Sequence, residues 1–328
     1  MTSFPVSLRR RALHGLALSA LSATARAQDA FPIHPLRVLV PFPPAGAADV
    51  LTRLLTEPLS REFGQPVVAE NRTGGGGRIG TEAAVRAPAD GYTLLMGSQA
   101  TNSINPELYT DLPYDPVRDL APVAMVGGVG SILYVRNSLE VRSLPDLLDL
   151  VRRRPGELTY GSAGNGGGSH LSMALLEMMA GVRMTHVPYR GTAPATTDLL
   201  AGQIDAMCDP VTTAMPHVTG GRVRALAVTT PQRLPALLDI PTVAESGVPG
   251  YEAVSYYAFF VPAGVPAQIL STLQARIAKV IAEPAVAARL AEQGMMAMPL
   301  SPSQLAEYVA QDRKRWQQVI RTAGITVN

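Results

Sequence analysis

Residues 36–55 read LRVLVPFPPAGAADVLTRLL. A β-rich run ends in a loop of prolines and small residues, Pro41–Ala48, and an apolar pattern of helical spacing follows at once. The periodicity predicts a strand over Val38–Phe42 and a helix over Val50–Phe63, kinked or shortened at Pro58, which lacks the N–H a helix interior needs. Alternation then continues with a strand at Val67–Glu70, a helix at Ile79–Ala87 and a strand at Tyr92–Gly97. Strand–helix–strand alternation implies parallel βαβ units and an α/β fold.

A second set starts with a strand at Ile132–Val135, then the helical LPDLLDLVRRRPG, the strand LTYGS, a glycine loop and the helix SHLSMALLEMMAG. Strand MTHVPY, helix APATTDLLAGQ and strands IDAMCD and RVRALAVT complete it. The C-terminal part reads as helices, with Ile269, Leu270, Leu273, Ile277, Val280 and Ile281 on one face. Ser301-Pro302-Ser303-Gln304 carries an N-cap, a first-position proline and a capping-box glutamine, and Gly324 is a natural helix stop. With no repeat and no low-complexity linker, two lobes in one compact chain fit better than separate domains.

The chain has 328 residues, 47% of them hydrophobic, enough for a large core. Arg9, Arg10 and Arg11 precede an apolar stretch ending in Ala25-Arg26-Ala27, the pattern of a leader cleaved after Ala27, by the general or the twin-arginine route. Without its four arginines, 24 basic residues face 26 acidic ones, a net charge of −2, so no basic excess argues for nucleic acid. No later apolar run approaches the ~20 residues of a membrane span. Cys208 is the single cysteine, so no internal disulfide is available, and in IDAMCD it reads as a small buried hydrophobe.

Gly75, Gly77 and Gly80 match a dinucleotide-binding spacing, but the next strand ends in Ser98 where an acidic residue should hold the ribose. Ser162 lies outside any nucleophile-elbow motif and no partner base is identifiable. His34, His170, His186 and His217 show no metal-ligand spacing, and His170 and His186 read as packing residues. No cofactor is expected.

The feature that recurs is strand, loop of small residues, helix: PPAGAAD before one helix and SAGNGGGS before another. A helix N-terminus exposes unpaired amides and partial positive charge, and small residues let an anion approach. Either both loops take carboxylates, or Asp49 and Ser169 simply cap their own helices while the glycines make turns. Four or five bonds to a charged group, each worth about 1.5–3 kcal/mol, supply the roughly 8 kcal/mol of micromolar binding without any arginine.

PFPPAGAADV, AENRTGGGGRIGTEAAVRAPADGYTLLMGS, LPYDPVRDLAPV, LTYGSAGNGGGSHL, HVPYRGTAPATTDLLAGQID, RALAVTTPQRLPALLDIPTVAESGVPGY and FFVPAGVP, in that order from about Leu36 to the C-terminus, resemble the substrate-binding receptors of tripartite tricarboxylate transporters, the Bug-type family. The resemblance implies a two-lobed periplasmic binding protein fold of type II kind, each lobe a mixed sheet flanked by helices. Residues 28–132 with 259–328 would form lobe 1 and residues 133–258 lobe 2, with crossings near Leu133 and Phe259. It further implies that a small organic carboxylate is held by Phe42, Ala45, Gly46, Ala47 and Asp49 in one lobe and by Ser162, Ala163, Gly164, Asn165, Gly166, Gly167 and Gly168 in the other. Ser98 and Asp209 would be walls. Where the family more often has Gly and Thr, this chain has Ala45 and Ala48. The implied partners are membrane permease subunits, with the receptor a monomer; an exported hydrolase or isomerase of carboxylic acids, or a receptor presenting its ligand to a sensor protein, are the alternatives.

Overall fold

The computed structural model describes residues 31–44 and 46–326. The expected leader and Ala45 of the first loop lie outside the described residues. The first set comprises β1 (Leu36–Val40), α1 (Ala47–Phe63), β2 (Val67–Asn71), α2 (Arg78–Val85) and β3 (Thr93–Ser98), with the strands parallel in the order β2-β1-β3. β1 is buried on both sides: Val38 and Val40 enter one apolar cluster and Leu39 another, as a parallel strand covered on both faces should be. α1 starts at Ala47, so Ala47, Ala48 and Asp49 form its first turn. Pro58 does not end it; the helix runs on to Phe63, because Pro58, Leu54, Leu55 and Leu59 are all buried and hold that turn against the sheet.

A π-helical turn at Ala100–Ile104, α3 (Asn105–Leu108) and α4 (Pro116–Asp119) lead into β4 (Leu120–Arg136). The second set follows: α5 (Leu144–Arg153), β5 (Thr159–Ser162), α6 (Gly168–Ala180), β6 (Thr185–Pro188), α7 (Thr192–Leu200), β7 (Ala206–Pro210), α8 (Val211–Thr219) and β8 (Val223–Val228). The chain then returns through β9 (Val254–Pro262) to α9 (Ala267–Ala282), α10 (Pro284–Glu292), the short β10 (Met295–Met296) and α11 (Pro302–Ala323). The strands form one curled sheet in the order β2-β1-β3-β9-β4-β7-β5-β6, with β8 and β10 also on β4.

β4 is the backbone of the molecule. Its residues 120–130 pair with β9, and residues 131–135 pair with β7. Only Ile132–Val135 of this 17-residue strand is expected from periodicity, because Pro122, Gly127, Gly128 and Gly130 look like turn signals. The glycines instead allow close approach: a Cβ on Gly128 would lie 2.3 Å from Val254 Cγ1, and one on Gly130 2.2 Å from Thr230 Cγ2. α8, which carries Pro216, is likewise an addition to the sequence expectation.

Separate apolar clusters lie under the two sets. Leu55, Phe259, Leu273 and Ile277 belong to one, and Leu147, Tyr160, Leu171 and Leu175 to another. α11 touches both regions, with Leu305 and Val309 beside Leu39 and Phe260, and Trp316, Val319 and Ile320 among the second-set residues. Its start carries the capping box of Ser301 and Gln304, and it ends at Gly324 at φ 61°. No helix among the described residues is long and apolar enough to cross a membrane.

Candidate functional site

The start of α1 and the start of α6 face a common cavity of about 310 Å³. Phe42, Gly46, Ala47, Ser98 and Gly168 of the expected residues line it. Pro43, Ala48, Gln99, Ala100, Ile104, Ser255 and Tyr257 complete the lining, so the wall carries no Asp, Glu, Lys, Arg or His. The N-cap positions of both helices are glycines, Gly46 and Gly167, and neither cap is closed by a side chain. First-turn amides have no intrahelical acceptor, and the helix dipole leaves this end positive. The cavity is therefore electropositive through its main chain alone.

The first loop is held from behind. Asp49 is 3% exposed and does not reach the cavity. Its Oδ1 accepts from Asn71 Nδ2 at 2.9 Å, and Arg53 Nε donates to it from one turn further along α1 at 2.9 Å. Asn71 also donates to the Phe42 carbonyl at 3.0 Å, tying the end of β2 to the loop. Asp49 is thus not a cavity wall but an anchor of the loop from behind. The glycine-rich stretch that mimics a dinucleotide motif packs here too. A Cβ on Gly80 would stand 2.4 Å from the Arg72 carbonyl oxygen and 2.7 Å from Pro41 Cα, so protein fills the space a phosphate would need.

The second loop is held by different chemistry. Ser162 Oγ lies 2.6 Å from His186 Nε2 and accepts from the Gly164 amide at 3.2 Å. His170 Nδ1 accepts from the Gly166 amide at 3.1 Å, and Ser169 Oγ accepts from the Ala163 amide at 3.0 Å. Gly166 sits at φ 71°, a backbone state that a side chain would strain. The His170 and His186 rings stack at 3.7 Å between centroids, with Tyr160 stacked on His186 at 5.0 Å. Burial, reinforced by the neighbouring His186, lowers the His170 pKa to about 4, and burial lowers that of His186 as well. Both rings are neutral at pH 7, as an Nδ1 that accepts a hydrogen bond requires.

These contacts relocate several expected ligand contacts. Ser162 and Asp209 have no exposed surface, and Asp209 Oδ2 accepts from the Tyr134 hydroxyl at 2.8 Å instead of facing the cavity. Asn165 Nδ2 donates to the Thr326 carbonyl at 2.6 Å. Ala163, Gly164, Gly166 and Gly167 are absent from the cavity lining and shape the turn behind Gly168. His186 is the partner base that the sequence leaves unidentified, yet Ser162 is too buried to meet a substrate. Burial also pushes the Cys208 thiol up, which removes its nucleophilic form.

Sequence reasoning misses seven lining residues, of which Ser255 and Tyr257 bring free hydroxyls. Their signal is the two-residue alternation in VSYYAFFVP, which sets them on the face opposite buried Tyr256 and Ala258. A larger cavity of about 800 Å³ lies between α9, α10, β4 and β10. Its wall is mainly Ala, Val, Leu and Met, and the one helix start on it, Ser301-Pro302 of α11, is closed by its own capping box with Gln304, so the cavity does not suit an anion. Among the described residues no group of three or more His, Cys, Asp or Glu is gathered to hold a metal ion.

Residues 51–325 match the family model described as tripartite tricarboxylate transporter family receptor (TctC). The UPF0065 protein in the tcbD-tcbE intergenic region of Pseudomonas sp. (strain P51) is 40% identical over 323 residues, covering 98% of this chain and 96% of the relative. BugT of Bordetella pertussis is 35% identical over 297 residues, covering 90% and 91%. Among solved structures, Rpa4515 of R. palustris with adipate is 37% identical with a TM-score of 0.77, over 90% of this chain and 99% of that one. MatC from Rhodopseudomonas palustris with bound malate is 32% identical with a TM-score of 0.73, over 88% and 100%. The fold is that of periplasmic binding proteins of this type, and the chain belongs to the TctC family of tripartite tricarboxylate transporter receptors, the Bug-type solute-binding proteins.

Proposed function

We propose that this protein is an exported receptor that captures a small organic carboxylate in the cleft between two lobes and delivers it to the permease subunits of a tripartite tricarboxylate transporter. The observation that carries the reading is the pair of helix starts, Ala47 of α1 and Gly168 of α6, lining one cavity with no ionisable residue other than Tyr257 in its wall. Carboxylates bound by relatives, adipate and malate, support it. On this reading the lobes would be residues 28–132 with 259–328 and residues 133–258, with β4 passing between them; one apolar cluster lies wholly in the first, and a second, built around Leu147, Tyr160 and Leu171, is completed by Trp316, Val319 and Ile320 of α11. The ligand draws them together by binding the closed form more tightly than the open one.

A thermal-shift screen of mono-, di- and tricarboxylates tests this: a ligand at 100 times its Kd adds about 2.7 kcal/mol of stability. No shift with any carboxylate overturns the reading. The ligand is recovered unchanged, since Ser162 beside His186 is closed off from the cleft; turnover of the acid would favour an enzyme instead. Mass spectrometry of the exported protein should place its first residue at Gln28, and deleting the gene should abolish uptake, where a sensor partner predicts only lost induction.

A further inference from the structure

Of the four polar side chains in the cavity wall, two are already engaged. Gln99 Nε2 donates to the Val254 carbonyl at 2.8 Å, and Ser98 Oγ lies 3.4 Å from both the amide and the hydroxyl of Thr101. Two are not. Ser255 and Tyr257 line the cavity and their hydroxyls make no hydrogen bond to any described residue, whereas Tyr256 between them places its hydroxyl 2.9 Å from Ser103 Oγ on the far side of β9. Their positions differ usefully. A Cβ on Gly168 would come 3.9 Å from Ser255 Oγ, which puts Ser255 beside the start of α6. Tyr257 is in register with Ser98 at the end of β3, on the side of the first loop. Burial raises the Tyr257 pKa to about 12, so the phenol keeps its proton and can donate.

Resting on the carboxylate-receptor reading, we propose that Ser255 and Tyr257 read an oxygen substituent on the carbon chain between two carboxylates, so that the site selects hydroxy- or oxo-dicarboxylates over unsubstituted ones. The helix starts hold the charged ends through main-chain amides, which recognise a carboxylate and nothing else about the molecule. Discrimination must come from the floor between them, and β9 supplies its only uncommitted hydroxyls among the described residues. A methylene chain closed over these groups leaves them without partners and cut off from water, whereas a ligand hydroxyl or carbonyl satisfies them.

Calorimetric titration of the mature protein with two matched pairs, malate against succinate and 2-oxoglutarate against glutarate, tests this. The oxygen-bearing member of at least one pair should bind about tenfold more tightly, the equivalent of one good hydrogen bond. Tyr257→Phe and Ser255→Ala should bring that ratio toward one, by weakening the oxygen-bearing acid and by strengthening the unsubstituted one, which no longer strands a hydroxyl, with melting temperatures confirming that both variants fold. A wild type that binds both members equally or prefers the unsubstituted one, or variants that keep the ratio, overturns the proposal while the receptor reading stands. If none of the four acids binds folded wild-type protein, the dicarboxylate receptor reading falls and this inference with it.

Discussion

The loop before α1 and the loop before α6 present the same face to the cleft, small residues and a helix start, but they are held in shape by opposite kinds of chemistry. Behind the first stands a carboxylate, Asp49, between an amide and a guanidinium. Behind the second stand two stacked neutral imidazoles and two serine hydroxyls. What each loop presents to the cavity is therefore nearly featureless, and its individuality lies one layer further back. The first anchor is a charged group with its countercharge beside it. The second depends on His170, a ring that must stay uncharged to accept the Gly166 amide, so acid should affect the two ends of the cavity differently.

The harshest way to break the likeness is to place a negative charge at each helix start in turn. Ala47→Asp and Gly168→Asp both fall where there is room, since nothing but Ser255 Oγ at 3.9 Å meets a Cβ on Gly168. Two like charges about 4 Å apart at an effective dielectric near 20 repel by about 4 kcal/mol, so dicarboxylate affinity should fall roughly a thousandfold in either variant. Titration calorimetry checks it. If only one variant loses binding, the likeness is false and a single helix start carries the anion.

Next in size is the difference in response to pH. The folded-state pKa of His170, about 4, lies below its ordinary value of 6.5, so the unfolded chain binds the proton first. Stability from this group is whole above pH 6.5 and is lost as the pH falls towards 4, by about 3 kcal/mol in total. Asp312 on α11 works in the opposite sense. Burial raises its pKa from 3.8 to about 6, so the folded state takes the proton first and stability from this group falls as the pH rises from 4 to 6. The two slopes oppose one another in the wild type. Urea unfolding at pH 4.5 and pH 7 should show His170→Asn less acid-sensitive than wild type and Asp312→Asn more so. Equal changes in all three proteins would mean that neither group titrates as its surroundings imply.

Much of this architecture is legible in the sequence, and the boundary of what is legible has a physical cause. Strand–helix alternation, the small-residue loops and the Ser301–Gln304 capping box are local patterns, and α1, α6 and α11 appear where those patterns place them. β4 is hidden because its glycines answer to Val254 and Thr230, residues about 100 or more positions away, and not to turn geometry. Asp49 misleads for the same reason: at the third position of a helix it reads as an exposed wall, whereas Asn71, from the end of β2, and Arg53 hold it behind the loop. The partnership of Ser162 with His186 is a fact about which groups meet and leaves no local record, and the alternation in VSYYAFFVP gives the face of Ser255 and Tyr257 without telling what stands opposite their hydroxyls.

The finest test sets the two anchors against each other by removing one acceptor from each. Ser169→Ala takes away the buried oxygen that receives the Ala163 amide, losing one hydrogen bond at a cost of about 1 kcal/mol. Asp49→Asn keeps the shape but removes the charge, weakening the bond from Arg53 and leaving one amide face against the Asn71 amide, at a similar cost of about 1 kcal/mol. Neither change removes a titrating imidazole, so the Ser169→Ala loss should be the same at pH 5 as at pH 7, unlike that of His170→Asn. Each should also weaken dicarboxylate binding only several-fold, since the helix amides remain in place and merely wander more. A loss in Ser169→Ala that grows on acidification would show that the hydroxyl holds the imidazole pair neutral, making the second anchor one cooperative unit instead of separate bonds.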